Sequence, residues 1–500
     1  MHPIYKLRNN DMTSLKIALA AILLLAASCK KSFIDLAPVS NQTTANFFKT
    51  AADFQQGVNA VYDALQSQQT YGKSYYYLME VRSDNTDIFD RGANAGAASQ
   101  IDLFTEVTTS NFISDGYAGS YVIIARANAV LDRVGAANIP DSSKKQFQGE
   151  ALFLRSLAYF NLVRLYGDVP LVIRTETISQ SQADRRNAKG EVYARIEGDL
   201  KTAASILPAS YPNAADQGRV VAGAASALLG KVYVTEKKWT DAVNTLAPLV
   251  GRFSLLTNYG DLFNAGNAQN AETIFSVRYR KGLSPSEGNT YFTDMAPVTI
   301  YLNGATYGGS NNNRPTHDIA AAYETGDKRF TASLDTTYLT NATTVRKGNF
   351  VKKYLDLPGP TGDEGNSFPV IRYADVLLLL AEAQNEGGYN AGNGPGTAFY
   401  YLNLVRERAG LADRTATDLP DQDSFRDAVF RERRVELAFE NDRWFDLVRY
   451  QKGLAILQAY LLNEYGLTTP VLTTKRLLFP LPQSEIDVHN DPANFPQNPQ

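Results

Sequence analysis

The feature that most constrains the fold is a series of helical stripes, in which apolar residues recur every three or four positions. The clearest stripe runs from Gly149 to Tyr166 and ends at Gly167, with Pro170 just beyond. After Gly218 the sequence partly matches a tetratricopeptide unit, a pair of antiparallel helices. Its small and large consensus positions fall at Leu229, Gly230, Tyr233, Ala242 and Leu246. Because such pairs need neighbours to bury their faces, the pattern predicts a mainly α, tetratricopeptide-like helical-repeat scaffold.

The same periodicity predicts further helices along the chain. They cover 44–65, 75–82, 117–131, 191–207, 372–386, 397–409, 424–440 and 444–464. The segment 83–115 is loop-like, and between Leu255 and Pro369 the helical period is mostly lost, with a strand-like alternation from Glu272 to Arg280. By length alone the chain could form two or three domains or one repeat-built superhelix. The periodicity divides it into a helical part over 29–254, a loop-rich insertion over 255–369 and C-terminal helices over 370–500. Long irregular loops, a few short strands and an extended Pro-rich tail complete it.

The amino terminus has the pattern of a lipoprotein signal peptide. Lys6, Arg8 and Lys16 precede an apolar run that is too short to span a bilayer, and small residues lead to Cys29. This pattern predicts removal of residues 1–28 and lipidation of Cys29, which would hold the protein at a membrane by its anchor alone. The alternative is an ordinary signal peptide followed by a chance cysteine.

Composition excludes several classes of protein. A formal net charge of −3 without a long basic run gives no reason to expect nucleic acid. One cysteine rules out an intrachain disulfide and a multi-thiolate metal site, and three histidines make a His-rich metal site unexpected. Bound calcium is left open, since Asp84, Asp87 and Asp90 do not have EF-hand spacing.

Catalytic motifs are not found in the sequence. It has no phosphate-binding loop of the Gly-x-x-x-x-Gly-Lys-Ser/Thr type and no Gly-x-Ser-x-Gly elbow. Glu432, Glu436 and Glu440 fall on one predicted helical face and could be imagined as an acid/base pair. Neighbouring arginines favour a salt-bridge network instead, so the sequence predicts a protein that is not an enzyme.

Short motifs along the chain match, in order, those of one protein family. In the C-terminal half they are Arg372-Tyr373-Ala374-Asp375, Glu432-Arg433-Arg434, Arg443-Trp444-Phe445-Asp446-Leu447 and Phe479-Pro480-Leu481-Pro482. In the N-terminal half they are Leu154-Arg155, Ala158-Tyr159-Phe160 and Leu165-Tyr166-Gly167-Asp168-Val169-Pro170. Over nearly the whole mature chain the sequence resembles the SusD/RagB family of nutrient-binding outer-membrane lipoproteins. It departs at Tyr117, where many members have Trp, and at Gln500, where a Gly and an aromatic residue often follow.

The resemblance implies that these parts form one domain over 29–500, a helical scaffold that caps a SusC-like TonB-dependent outer-membrane transporter. Such a protein passes oligosaccharides, or sometimes peptides, to the transporter and needs no cofactor. It would be lipid-anchored in the outer membrane and face the exterior. Two alternatives stay open: a lid with little ligand affinity of its own, and a secreted glycan hydrolase.

Two loop regions offer the side chains that sugars need. Sugar rings stack on aromatic planes, and their hydroxyl groups need Asp, Asn and Arg partners. The resemblance places ligand contacts in these general regions, and no motif fixes individual positions. The candidate ligand-binding residues are Tyr75, Tyr76, Asp84, Asn85, Arg91, Tyr291, Tyr301, Tyr307, Asn311 and Arg314.

Overall fold

The computed structural model describes residues 47–359, 362–468 and 472–499. The predicted signal peptide and Cys29 lie outside these ranges. The helices, numbered in chain order, are α1 Ala51–Gln66, α2 Ser74–Tyr76, α3 Ala97–Asp102, α4 Asn111–Val134, α5 Asp141–Tyr166, α6 Ile178–Ser181, α7 Lys189–Ile206, α8 Ala222–Thr235, α9 Trp239–Leu246, α10 Tyr291–Met295, α11 His317–Ala322, α12 Phe330–Ser333, α13 Tyr373–Gly387, α14 Ala398–Ala409, α15 Gln422–Glu436, α16 Arg443–Arg449, α17 Gly453–Tyr465 and α18 Gln483–His489.

The long helices pack side by side in a nearly continuous array. Contacts run from α1 to α4, then through α5, α7, α8 and α9 to α13, which also packs against α14 and α15. Each helix buries its apolar stripe against its neighbours, as expected of a repeat scaffold. The predicted mainly α, tetratricopeptide-like fold is therefore confirmed. Within the described ranges, none of the helices is both long and apolar enough to cross a bilayer.

The pair α8 and α9 packs as the repeat pattern predicts. A Cβ atom on Gly230 would overlap the side chain of Leu246, so the glycine lets the two helices approach closely. Tyr233 and Ala242 are buried beside this contact. The small residues thus lie where the helices touch and the large ones fill the space between them.

The strands form small antiparallel pairs, mostly within the loop-rich insertion. They are β1 Thr86–Asp87, β2 Thr273–Val277, β3 Ile300–Leu302, β4 Ala305–Tyr307, β5 Arg314–Pro315, β6 Leu334–Leu339, β7 Val345–Val351 and β8 Phe368–Arg372. They pair as β1 with β5, β2 with β8, β3 with β4 and β6 with β7. A local apolar core of Phe292, Ala296, Ile300 and Phe350 supports the two hairpins. The predicted strand over 272–280 is confirmed as β2.

Several predicted element boundaries are wrong, for local reasons. One helix was expected over 444–464, but Gln451 has a left-handed backbone with φ of 59° between α16 and α17. The segment 83–115 was expected to be loop, yet its Ala-rich stretch forms α3 and its end begins α4. Residues 77–81 form a π-helical turn rather than a continuation of α2. In the tail, which was expected to be extended, α18 follows Pro482.

The C-terminal tail is held against the first helices by buried polar contacts. The Arg82 guanidinium is buried, donates to the carbonyl of Arg476 at 2.6 Å and lies 3.8 Å from the ring centroid of Phe479. The Asn498 amide donates to the carbonyls of Tyr166 and Phe479 at 2.8 and 2.7 Å. The tail is thus a structural part of the unit that spans residues 50–500.

Candidate ligand-binding site

The short strands β1 and β5 bring the two predicted loop regions together. Thr86 pairs with Pro315 and Asp87 with Arg314, although more than 200 residues separate them in sequence. Next to this pairing, the Thr316 amide donates to the carbonyl of Asn85 at 2.9 Å. The two loops therefore contribute to a single surface, which we call the β1/β5 site.

Arg314 presents a fixed cation at the β1/β5 site. Its guanidinium donates to both carboxylate oxygens of Asp87, at 2.7 and 2.5 Å, and these hydrogen bonds raise the pKa of Arg314. About a third of its side chain stays exposed, 34%. The guanidinium carbon lies 5.5 Å from the ring centroid of Phe89, which is 50% exposed. An aromatic ring and a guanidinium thus stand together at the surface, a combination suited to stacking and hydrogen bonding.

A second cation–aromatic pair borders the same site. The exposed Arg91 lies with its guanidinium carbon 4.4 Å from the ring centroid of Tyr465, at the end of α17. Beneath this pair, Asp102 accepts hydrogen bonds from the hydroxyl groups of Tyr465 and Tyr460. Burial raises the pKa of Asp102 to about 7, although those hydrogen bonds lower it. The Tyr460 hydroxyl also lies 3.3 Å from the carbonyl of Thr86, which connects α17 to β1.

The β3/β4 hairpin carries the remaining exposed candidates. Tyr301 and Tyr307 are half-buried, and the Tyr307 ring packs edge-on against Phe292 with centroids 5.8 Å apart. The hairpin is connected to the β1/β5 site through β6 and β7: β3 contacts β6, and β7 contacts β5. An Asn349 amide on β7 donates to the carbonyl of Pro315 at 3.0 Å. These tyrosines belong to the same insertion and extend the surface.

The structure places six of the ten candidate residues in the interior of the protein. They are Tyr75, Tyr76, Asp84, Asn85, Tyr291 and Asn311, each at most 5% exposed. Four of the six use their polar atoms in the fold: Tyr75 bonds to Ser120, Tyr291 donates to the carbonyl of Tyr71, and Asp84 accepts from Arg443. Asn85 donates to the buried Glu80. Arg91, Tyr301, Tyr307 and Arg314 are the four that reach the surface.

Two further residues complete the β1/β5 site. Phe89 belongs to the first loop region that the sequence indicated, but it lies two residues beyond β1 in a bend, so no strand alternation indicated that its ring is exposed. Tyr465 lies far along the chain at the end of α17. Only tertiary packing reveals its position, because no local pattern connects it with Arg91.

A cavity of about 590 Å³ lies between α11, α15 and α17, next to the segment that leads into β1. Its walls include Asp84, His317, Phe430, Arg434 and Tyr460. Arg434 forms ion pairs with Asp84 at 3.0 Å and with Asp318 at 2.7 Å, so its charge is matched. His317 is exposed at the edge of this cavity. Within the described ranges, no three His, Cys, Asp or Glu side chains cluster as a metal site.

Glu432, Glu436 and Glu440 belong to a buried ion network, but their partners are distant arginines rather than the neighbouring ones that the sequence indicated. Arg329 donates to Glu432 at 2.6 Å and to Glu436 at 2.9 Å, and Arg372 donates to Glu440 at 2.7 Å. Glu440 lies beyond the end of α15, so the three do not share one helix. Burial alone would raise the pKa of Glu436, but Arg408, Arg372 and Arg329 hold it well below its ordinary value. These carboxylates are buried and paired, unlike the two that flank a glycosidic bond across a cleft.

The family comparisons cover both halves of the chain. A family model described as the SusD family matches residues 331–500. A second, described as "Starch-binding associating with outer membrane", matches residues 32–234. The SusD-like protein P2 of Formosa agariphila is 29% identical over 475 residues, which cover 88% of this chain and 92% of that protein.

Solved structures share the fold over almost the whole chain. A SusD homologue from Bacteroides thetaiotaomicron has a TM-score of 0.78 and 26% identity, and the match covers 91% of this chain and 98% of the homologue. A laminarin-binding SusD-like protein has a TM-score of 0.73 and 25% identity, and covers 90% of this chain and 100% of its own.

Proposed function

This chain belongs to the SusD/RagB family, and from that premise we propose that it is a cell-surface lipoprotein that binds oligosaccharides for uptake. It is anchored in the outer membrane by lipid on Cys29 and faces the exterior. Captured glycans pass to a SusC-like TonB-dependent transporter, which supplies the energy. The protein itself performs no chemistry and uses no cofactor.

The single observation that carries the proposal is the β1/β5 pairing, which joins two distant loops into one exposed aromatic and cationic surface. Phe89 offers a ring face that is 50% exposed, beside the fixed guanidinium of Arg314. Arg91 borders this surface, and Tyr301 and Tyr307 lie on the hairpin that β6 and β7 connect to it. A rigid mixture of ring faces and polar groups is what sugar recognition requires.

The comparisons support a glycan as the cargo. One family description names starch binding at the outer membrane, and one of the similar structures is a laminarin-binding protein. Arg314 and Arg91 supply donors for sugar hydroxyl groups. Glu432, Glu436 and Glu440 are buried and paired with arginines, so these three residues offer no acid/base pair for hydrolysis.

The test is calorimetric titration of the purified protein with neutral oligosaccharides, including laminarin and starch fragments, and with peptides. We expect micromolar binding of an oligosaccharide. The substitution Phe89→Ala removes the exposed ring and should weaken binding at least about tenfold, which corresponds to about 1.4 kcal/mol.

The matched control is Ile178→Ala, which also shortens a large exposed apolar side chain, 81% exposed, on the separate short helix α6. Its affinity should equal that of the unaltered protein. If the Phe89→Ala and Tyr307→Ala variants both bind the oligosaccharide as tightly as the unaltered protein, the β1/β5 site is excluded. A protein that co-purifies with its transporter and binds none of the oligosaccharides would instead be a lid, and release of sugar products would indicate a hydrolase.

A further inference from the structure

A groove lies along strand β2 and shares no lining residue with the β1/β5 site. It has two chambers of about 730 and 500 Å³, which share Gln217, Gly218, Arg219 and Ser276. Each chamber has a volume in the range of about 300–1,000 Å³ that ligand cavities occupy. The larger chamber lies between β2 and the loop segments that flank α8 and α9.

Two aromatic rings on the wall of the larger chamber are held in fixed positions. The Tyr211 hydroxyl donates to the carbonyl of Val220 at 3.1 Å, and the ring is half-buried. Phe253 is also half-buried and packs over Gly223, where a Cβ atom would lie 3.1 Å from the ring. Half-exposed rings with restricted motion can stack on a sugar without a large loss of conformational entropy.

The arginines at the groove are only partly neutralised by ion pairs with carboxylates. Arg219 forms ion pairs with Glu150 at 3.0 Å and with Asp216 at 3.2 Å. Arg252 and Arg278, by contrast, are exposed and form no ion pair with the described residues. The smaller chamber, which Arg278 lines, also carries Asp63 and Glu287, but the described residues that line the larger chamber include no Asp or Glu. The chamber therefore favours an anionic group over a cationic one.

Arg278 is fixed where the two chambers meet. Its guanidinium donates to the carbonyl of Gln217 at 3.0 Å. It lies against Gly218, whose φ of 95° and lack of a side chain make room, because a Cβ atom there would be 2.7 Å from Arg278. Amide and hydroxyl groups of Gln269, Asn270 and Thr273 are the neutral polar partners in the larger chamber.

We infer that this β2 groove is a second carbohydrate site, selective for oligosaccharides that carry an anionic substituent, either a carboxylate or a sulfate ester. The rings of Tyr211 and Phe253 stack on the sugar, the amides and hydroxyl groups bind its hydroxyl groups, and Arg252 and Arg278 bind the anion. The site is independent of the β1/β5 site, since the two share no residue.

The experiment is calorimetric titration of the whole protein with two pairs of probes. One pair is a tetrasaccharide of galacturonic acid and its methyl ester, which removes the carboxylate charge. The other is a sulfated galactose tetrasaccharide and its desulfated form. We expect the charged member of at least one pair to bind at least about tenfold more tightly than its neutral form, and the pair that shows this identifies the anion.

The variants assign that binding to the groove. Arg252→Ala should weaken binding of the charged probe about tenfold, as expected for one charged hydrogen bond, and leave the neutral probe within about twofold. Phe253→Ala should weaken both members of the pair. The control Arg185→Ala removes another exposed arginine without an ion pair to the described residues, and should change neither affinity.

Equal binding of charged and neutral probes, or no effect of Arg252→Ala, would overturn the inference. The Phe89→Ala variant distinguishes binding at the groove from binding at the β1/β5 site. If it retains full affinity for the charged probe, the groove is confirmed as a separate site, whether or not neutral glycans bind at the β1/β5 site. If it abolishes binding of the charged probe, the anion binds at the β1/β5 site and the inference fails.

Discussion

The buried ion network and the β1/β5 site use the same side chain, arginine, for opposite purposes. In the network, Arg372 is 1% exposed and donates to the carboxylates of Glu272, Glu436 and Glu440. At the β1/β5 site, Arg314 has one carboxylate partner, Asp87, and 34% of its side chain faces solvent. A fully surrounded arginine has no donors left for a ligand, whereas a singly paired one is positioned and still available.

The comparison shows how charge density in a sequence should be interpreted. The family motifs around Arg372 and Glu432-Arg433-Arg434 are rich in charge because they build the interior of the scaffold. Surface recognition depends on fewer residues, which are separated in sequence and have no common motif. Mutations at the two regions should therefore differ in what they change: stability in one, affinity in the other.

The largest effect is expected from Arg372→Ala. The change leaves Glu272, Glu436 and Glu440 buried with fewer positive partners, which typically costs about 3–5 kcal/mol of folding free energy. Urea unfolding monitored by circular dichroism measures it. A loss below about 1 kcal/mol would show that the network does not hold the fold together and would remove the contrast with the β1/β5 site.

A smaller and pH-dependent effect is expected from Asp102→Asn. Because burial raises the pKa of Asp102 to about 7, the folded protein keeps this proton between about pH 4 and 7, where the unfolded chain loses it. Stability is therefore lost as the pH rises through this window, by at most about 1.4 kcal/mol per pH unit, or about 2.8 kcal/mol between pH 5 and 7. Asparagine does not titrate, so the stability of the variant lacks this pH dependence.

The measurement is urea unfolding of both proteins at pH 5, 6 and 7. The variant should gain stability relative to the original as the pH rises. Glu80 and Glu364 also have pKa values raised to about 7, mainly by burial, and they are present in both proteins, so the difference isolates Asp102. Parallel pH curves for the two proteins would contradict the prediction.

A still smaller effect, confined to binding, is expected from Arg314→Lys. Lysine keeps the charge and cannot make the two-pronged contact with Asp87, so the cation beside Phe89 loses its fixed position. We expect about a three- to tenfold loss of affinity for the oligosaccharide by calorimetry and less than about 1 kcal/mol change in stability. A large loss of stability with unchanged affinity would assign Arg314 to the scaffold.

The smallest effect is expected from Lys281→Ala. Lys281 forms an exposed ion pair with Asp356 at 2.8 Å, and such pairs contribute between about 0 and 1 kcal/mol. Urea unfolding should therefore change by less than about 1 kcal/mol. This variant is the surface reference against which the loss in Arg372→Ala is judged.

The helical array was predictable because its signal is local. Gly230, Tyr233 and Ala242 mark a helix pair by their spacing alone, and the structure packs them accordingly. The site was predictable only by region, because exposure is decided by tertiary contacts. Asp84 and Arg314 lie in equally polar loop segments, yet the first is enclosed by Arg443 and Arg434 and the second reaches solvent.

The ends of helices and the contacts between residues far apart in sequence could not be predicted, for related reasons. The left-handed Gln451 divides a continuous apolar pattern into α16 and α17, and glutamine has no strong preference for that backbone. The pairing of β1 with β5 involves two residues on each side, too few to leave a periodic signal. The contact of Tyr465, at the end of α17, with Arg91 likewise leaves no periodic signal in the sequence.

The anchoring of the tail also makes the first helices depend on the end of the chain. Arg82 and Tyr166 lie in the first third of the sequence, yet their partners at Arg476, Phe479 and Asn498 lie near its C-terminus. A chain truncated before residue 476 would lack these partners for the Arg82 guanidinium and the Tyr166 carbonyl. Such a chain should be less stable than the full one and more readily cut by proteases, because the interior beside the first helices is left open.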